Sequence, residues 1–106
     1  MDVFRFVKLT QKANDPARRY YVVTGSGERV GDVEVIPPNG ARVVMTVLLR
    51  PVLSDAARED ALDTARRFLD ELALGWGAHL VEEARARRSG EEPDGNFRVR
   101  LEYRTV

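Results

Sequence analysis

The chain has 106 residues, 43% hydrophobic and 32% charged, with 17 basic residues balanced by 17 acidic ones and no cysteine. Its length and composition fit one globular α+β domain over residues 1–106, long enough to bury roughly two-thirds of its unfolded surface. The zero net charge supplies no global field for nucleic acid or membrane, no apolar run reaches the ~20 residues of a membrane span, and a disulfide framework is excluded.

The start, Met1-Asp2-Val3-Phe4-Arg5, lacks signal-peptide architecture, so a cytoplasmic protein is expected. Fifteen arginines stand against two lysines, Lys8 and Lys12, and eleven alanines accompany them. Arginine and alanine codons are GC-rich, which points to a high-GC, bacterial genome. Each arginine is therefore weaker evidence of phosphate binding than usual.

Val3 to Leu9 is rich in β-formers and predicts a first strand. Thr10 to Arg18 is a polar loop with Asn14-Asp15-Pro16 as its turn. Tyr20 to Thr24 predicts a second strand, and Gly25-Ser26-Gly27 permits a tight reversal into a third, Arg29 to Ile36. Gly31 within that strand marks a bulge or a close backbone approach. Pro37-Pro38-Asn39-Gly40 is expected to break it. Arg42 to Arg50 is the most apolar strand, and Pro51 ends it.

A long amphipathic helix is then expected from about Ser54 to about Arg88. Ser54 or Asp55 caps its first amides, and Asp55, Glu59 and Asp60 suit the positive end of its dipole. Leu62, Ala65, Leu69, Leu72, Ala73, Trp76 and Leu80 fall on one stripe at helical spacing, with Phe68 and His79 at its edge. The stripe keeps phase through Gly75-Trp76-Gly77, so one helix is predicted, ending at Ser89-Gly90. Phe97 to Thr105 alternates cleanly and gives the clearest strand of the chain. The expected order is β-β-β-β-α-β. The fold class is α+β, an antiparallel sheet of about five strands with one long helix packed on one face.

No residue set stands out as catalytic. His79 is the lone histidine, with only Glu82 and Glu83 near it, so a metal site is not expected. Gly25-Ser26-Gly27 lies between two strands, whereas phosphate loops open onto a helix, so it reads as a hairpin. The helix carboxylates alternate with arginines as on an ordinary solvated face. Arg98, Arg100 and Arg104, joined by Arg5, Lys8 or Arg42, offer a basic strand face, and Tyr20 or Tyr21 a stacking ring for RNA. Asp32, Glu34 and Glu102 are available to pair with such arginines, and a nucleic-acid partner is not expected. No cofactor is expected either.

Two apolar features need an explanation. The fourth strand is apolar on both faces, with Val44 and Leu48 on the side away from Val43, Met45, Val47 and Leu49. Leu74 and Val81 lie one heptad apart, on the side of the expected helix away from its main stripe. One helix cannot bury both strand faces, so either the sheet wraps the helix or a loop folds over it, or a partner covers the second face. The leading expectation is a small non-catalytic interaction module, a homodimer joined through Val44 and Leu48 or through Leu74 and Val81. The alternative is a small-ligand-binding protein or minor enzyme, with Trp76, His79 and Tyr103 lining a pocket between helix and sheet.

Overall fold

Period-two alternation turns most of this chain into strands, and the strands pair into one sheet. The computed structural model describes residues 3–39, 42–76, 80–91 and 95–105, with the side chains of 38–39, 80–91 and 105 set aside. The elements are β1 (Phe4–Lys8), β2 (Arg18–Thr24), β3 (Arg29–Asn39), β4 (Arg42–Leu49), α1 (Asp55–Gly75), β5 (Leu80–Glu91) and β6 (Phe97–Thr105). The six strands lie in the order β1-β2-β3-β4-β6-β5, and every neighbouring pair is antiparallel. The class is the expected one: α+β, an antiparallel sheet with a single long helix.

β1 to β4 form a meander in which consecutive strands pair, with few residues between β2 and β3 and between β3 and β4. Gly27 takes a positive φ of 90° between β2 and β3, where its N–H donates to the Thr24 carbonyl at 2.9 Å. The end of β3 departs from expectation. Pro37 and Pro38 do not end the strand; β3 continues to Asn39, and the ladder shifts register between Ile36 and Asn39. Prolines lack the N–H that a regular ladder needs, so an irregularity there costs little.

The helix is shorter than its apolar stripe predicts. α1 ends at Gly75, and the segment from Leu80 to Glu91 is a strand. Length supplies the physical reason. A helix from Ser54 to Arg88 would run about 52 Å at 1.5 Å per residue, whereas the longest extent of the fold is 36 Å. The 21 residues of α1 already cross the sheet. Trp76 closes the helix, its N–H donating to the carbonyls of Ala73 at 3.0 Å and Leu72 at 3.2 Å.

β4 and β5 are both antiparallel to β6, so they run parallel to each other. No hairpin can join parallel strands; a crossover is required, and α1 is that crossover. β6 then returns between the two, giving a split β-α-β unit.

One face of the sheet carries the core. Tyr20, Val22, Val33, Val35, Val43, Met45, Val47, Leu49, Val99 and Leu101 are buried on it. The matching helix residues are Ala57, Ala61, Leu62, Ala65, Leu69 and Ala73. The stripe seen in the sequence is thus correct as far as Trp76, and Ala57 and Ala61 extend it backwards. Ser54 is the cap, accepting the Ala57 N–H at 3.1 Å. Four contacts made by three helix side chains orient α1. Arg58 lies over the ring of Phe97 near the start, and Arg18 lies over Trp76 at the end. Between them, Phe68 meets Phe6 at 4.7 Å and the edge of Tyr20 at 4.9 Å. Among the described residues no helix is long and apolar enough to cross a membrane.

Gly31 marks a close backbone approach. A Cβ built there would stand 2.5 Å from the Leu48 carbonyl oxygen and 3.0 Å from Leu49 Cδ2. Backbone cannot give way as a side chain can. Gly31→Ala should therefore destabilise the fold by about 1–3 kcal/mol, the usual range for overpacking. Ser54→Ala should cost about 1 kcal/mol through loss of the cap. Urea denaturation followed by circular dichroism measures both, and a neutral Gly31→Ala would contradict the close approach.

Candidate functional site

The face of the sheet opposite α1 has no covering element among the described residues. Cross-strand partners share a face, so the register defines its rows. One row reads Val7, Tyr21, Asp32, Leu48, Arg98. The next reads Arg19, Glu34, Thr46, Arg100, and a third Ile36, Val44, Glu102. Read along the strands instead, the centre of the face has three columns, on β3, β4 and β6. β3 contributes the acids Asp32 and Glu34. β4 contributes the uncharged Val44, Thr46 and Leu48. β6 contributes Arg98, Arg100 and Arg104 with Glu102 among them.

Apolar exposure accumulates here. Val7 is 43% and Ile36 41% exposed, while Tyr21, Val44 and Leu48 are half-buried. The charges around them are organised. Arg19 donates to Glu34 at 3.1 Å and to Asp15 at 2.7 Å, tying the β1–β2 loop to the sheet. Arg29 donates to Asp32 at 2.6 Å while its guanidinium lies 3.8 Å from the centre of the Tyr21 ring. Arg100 pairs with Glu102 at 3.0 Å. A depression of about 300 Å³ crosses the face, with Thr46 and Leu48 beside Leu9, Arg19, Asp32, Glu34 and Arg98.

The residues singled out by sequence are not all brought together. Val44 and Leu48 do share this face, two rows apart. Leu74 is 63% exposed near the end of α1. The helical face proposed for Leu74 and Val81 does not exist, because Val81 belongs to β5 and the helix has ended six residues earlier, at Gly75. Trp76 is half-buried against the core rather than fully inside it. Tyr103 is buried on the helix side, paired with Val43 and Glu83 in the ladder. His79 lies outside the described residues. Met45, Leu62, Leu69 and Leu101, each under 2% exposed, fill the core between helix and sheet.

The tyrosine pair separates as adjacent strand residues must. Tyr20 packs inward, where burial raises its hydroxyl pKa above the usual value. Tyr21 faces outward, but Arg29 covers its ring. The carboxylates expected to pair with the β6 arginines do so in part. Glu102 bridges to Arg100, whereas Asp32 and Glu34 take Arg29 and Arg19. The Asp15–Arg19–Glu34 relay was not legible in the sequence; only the i, i+4 spacing of Asp15 and Arg19 hinted at it. Among the described residues no group of three His, Cys, Asp or Glu is placed to hold a metal ion. Comparison of the chain with protein families, with curated proteins and with solved structures finds no match.

Asp15 makes the loop–sheet tie pH-sensitive. Its hydrogen bond from Arg19, with a second from the Ala17 N–H, holds the carboxyl pKa below its ordinary 3.8. Its contribution to stability is therefore present above pH 3.8 and is lost as pH falls through the lower, folded-state value. The stability of Asp15→Asn should consequently change less steeply with pH in that acid range than the wild type, with no difference in slope near neutrality. Thermal melts at stepped pH values measure this, and identical acid slopes would show that the pairing is not formed in solution.

Proposed function

We propose that this protein is a small interaction module that associates with a second copy of itself through the outer face of its sheet. The observation that carries this reading is the run of Ile36, Val44 and Leu48 on a sheet face that α1 leaves uncovered. Antiparallel sheets do present one face to water, but that face is then mostly polar. Here its middle strand is apolar or uncharged at every outward position from Val44 to Leu48. Size also favours the reading. Five strands about 4.8 Å apart and about eight residues long at 3.4 Å each span on the order of 650 Å² in projection. A standard interface removes on the order of 800 Å² of accessible surface per partner, which always exceeds its projection.

The alternatives carry less support. With Val81 on β5, Leu74 is the single exposed leucine among the described side chains, which is ordinary for a protein surface. The tight filling between α1 and the sheet favours a structural core over a ligand chamber there. The outward tyrosine is stacked beneath Arg29, which disfavours base stacking on it.

Sedimentation equilibrium across micromolar concentrations tests the proposal. A mass of two chains is expected for the wild type, and Leu48→Asp should yield a folded monomer because a buried carboxylate opposes association. Leu74→Asp should leave the dimer intact. A one-chain mass throughout the range sinks the proposal.

A further inference from the structure

From the columns of charge on the outer face we infer how the two copies dock: by a twofold axis parallel to β4, setting β3 of each copy over β6 of the other. This inference rests on the reading that the outer face joins two copies, and it adds the geometry of that contact.

Two sheets that pack face to face keep their strands within about 30° of each other. A twofold axis lying between such sheets can run along the strands or across them. An axis across the strands and over the middle of β4 returns each strand to its own copy. Glu34 would then face Glu34 and Arg100 face Arg100, like charge on like, while Asp32 would face Ile36 and have no partner of opposite sign. An axis along β4 inverts the lateral order and preserves the level along the strands. β4 then stacks on β4, placing Val44, Thr46 and Leu48 over their own copies. β3 stacks on β6.

Level matters as much as order. Asp32 and Arg98 both lie in the row of Leu48, and Glu34 and Arg100 both lie in the row of Thr46. Because this axis conserves level, Asp32 of one copy meets Arg98 of the other, and Glu34 meets Arg100. Each contact occurs twice by symmetry. The apolar strip is dry at the centre and opposite charges flank it on both sides, as in a protein interface with a polar rim. The pairs formed within one chain, Arg19–Glu34, Arg29–Asp32 and Arg100–Glu102, are part-exposed and become members of networks across the contact. Complementary charge of this kind selects register and partner more than it sets raw affinity.

Two charge reversals test the geometry. In Glu34→Lys each self-contact becomes Lys against Arg100, twice. In Arg100→Glu it becomes Glu34 against Glu, twice. Each variant alone should self-associate at least about tenfold more weakly than the wild type, since opposed like charges cost several kcal/mol. An equimolar mixture of the two variants should form a heterodimer within a few-fold of wild-type affinity. In that heterodimer one contact is Lys against Glu and the other is the native Glu34 against Arg100. Native mass spectrometry with one variant isotopically labelled reads the heterodimer directly, and circular dichroism confirms that each variant folds. Asp32→Lys with Arg98→Glu is the second pair, used if removal of the Arg19 partner unfolds Glu34→Lys.

Four outcomes are distinguishable. Weak single variants with a restored mixture support the geometry. Weak single variants whose mixture stays weak overturn it while leaving the outer face as the interface. Single variants that associate like the wild type overturn it as well. A wild type that is monomeric throughout overturns both this inference and the self-association on which it rests.

Discussion

Everything in this fold leans on the contact between the small-residue face of α1 and the inward row of β4. Ala57, Ala61 and Ala65 recur every fourth residue, so the first half of one line of the helix carries only methyl groups. The helix backbone thereby comes close to the sheet, nearest to β4 and to β1. Leu62 and Leu69 flank the alanines and reach into the surface made by Val43, Met45, Val47 and Leu49, all essentially free of solvent. Each large side chain buried there stabilises the fold by roughly 1.5–3 kcal/mol. The aromatic contact of Phe68 with Phe6 and Tyr20 fixes the angle of the helix and ties in the edge strand.

That one contact determines the topology around it. α1 starts beside β6, with Arg58 over Phe97, and ends beside β2, with Trp76 under Arg18; the next strand, β5, is the outermost one beyond β6. β6 fills the gap between β4 and β5 with antiparallel pairing on both sides. The crossover also uses up the only helix among the described residues, so the opposite sheet face is left without an internal cover. The asymmetry of the two faces follows from the count of helices, and the outward apolar residues of β4 gain their meaning from it.

The outer face combines two properties. Its middle strand is uncharged from Val44 to Leu48, while its flanking strands carry opposite signs at the levels of Thr46 and Leu48. Within one chain these charges are partly satisfied by neighbours, as Arg19 with Glu34 and Arg29 with Asp32 illustrate. Part-exposed pairs of this sort add little to stability. Their arrangement in columns is more informative than their energies, because columns of opposite sign are complementary to their own image under only one of the two in-plane twofold axes.

Local pattern alone was enough for the meander, for the start of the helix and for β6. Alternation in Phe97 to Thr105, the glycines before β3 and the capping serine all act within a few residues, so they are readable without a fold. The doubly apolar character of β4 was legible for the same reason, and with it the question of what lies on the outer face. The second half of the predicted helix was not legible. Leu80 to Glu91 is rich in alanine, glutamate and arginine, which favour helix, and Leu80 continues the helical stripe. The contrary signal, the alternation of Ala84, Arg85, Ala86 and Arg87, spans only four residues. What overrode propensity was non-local: the helix had already crossed the sheet, and β6 had an unpaired edge with backbone groups to satisfy. The same holds for the charge columns. The sequence by itself determined which residues alternate and which are charged. Only the pairing of β3, β4 and β6 decided that Asp32 stands level with Arg98 and Glu34 with Arg100, because register between distant strands is set by packing on the helix side and not by either strand alone.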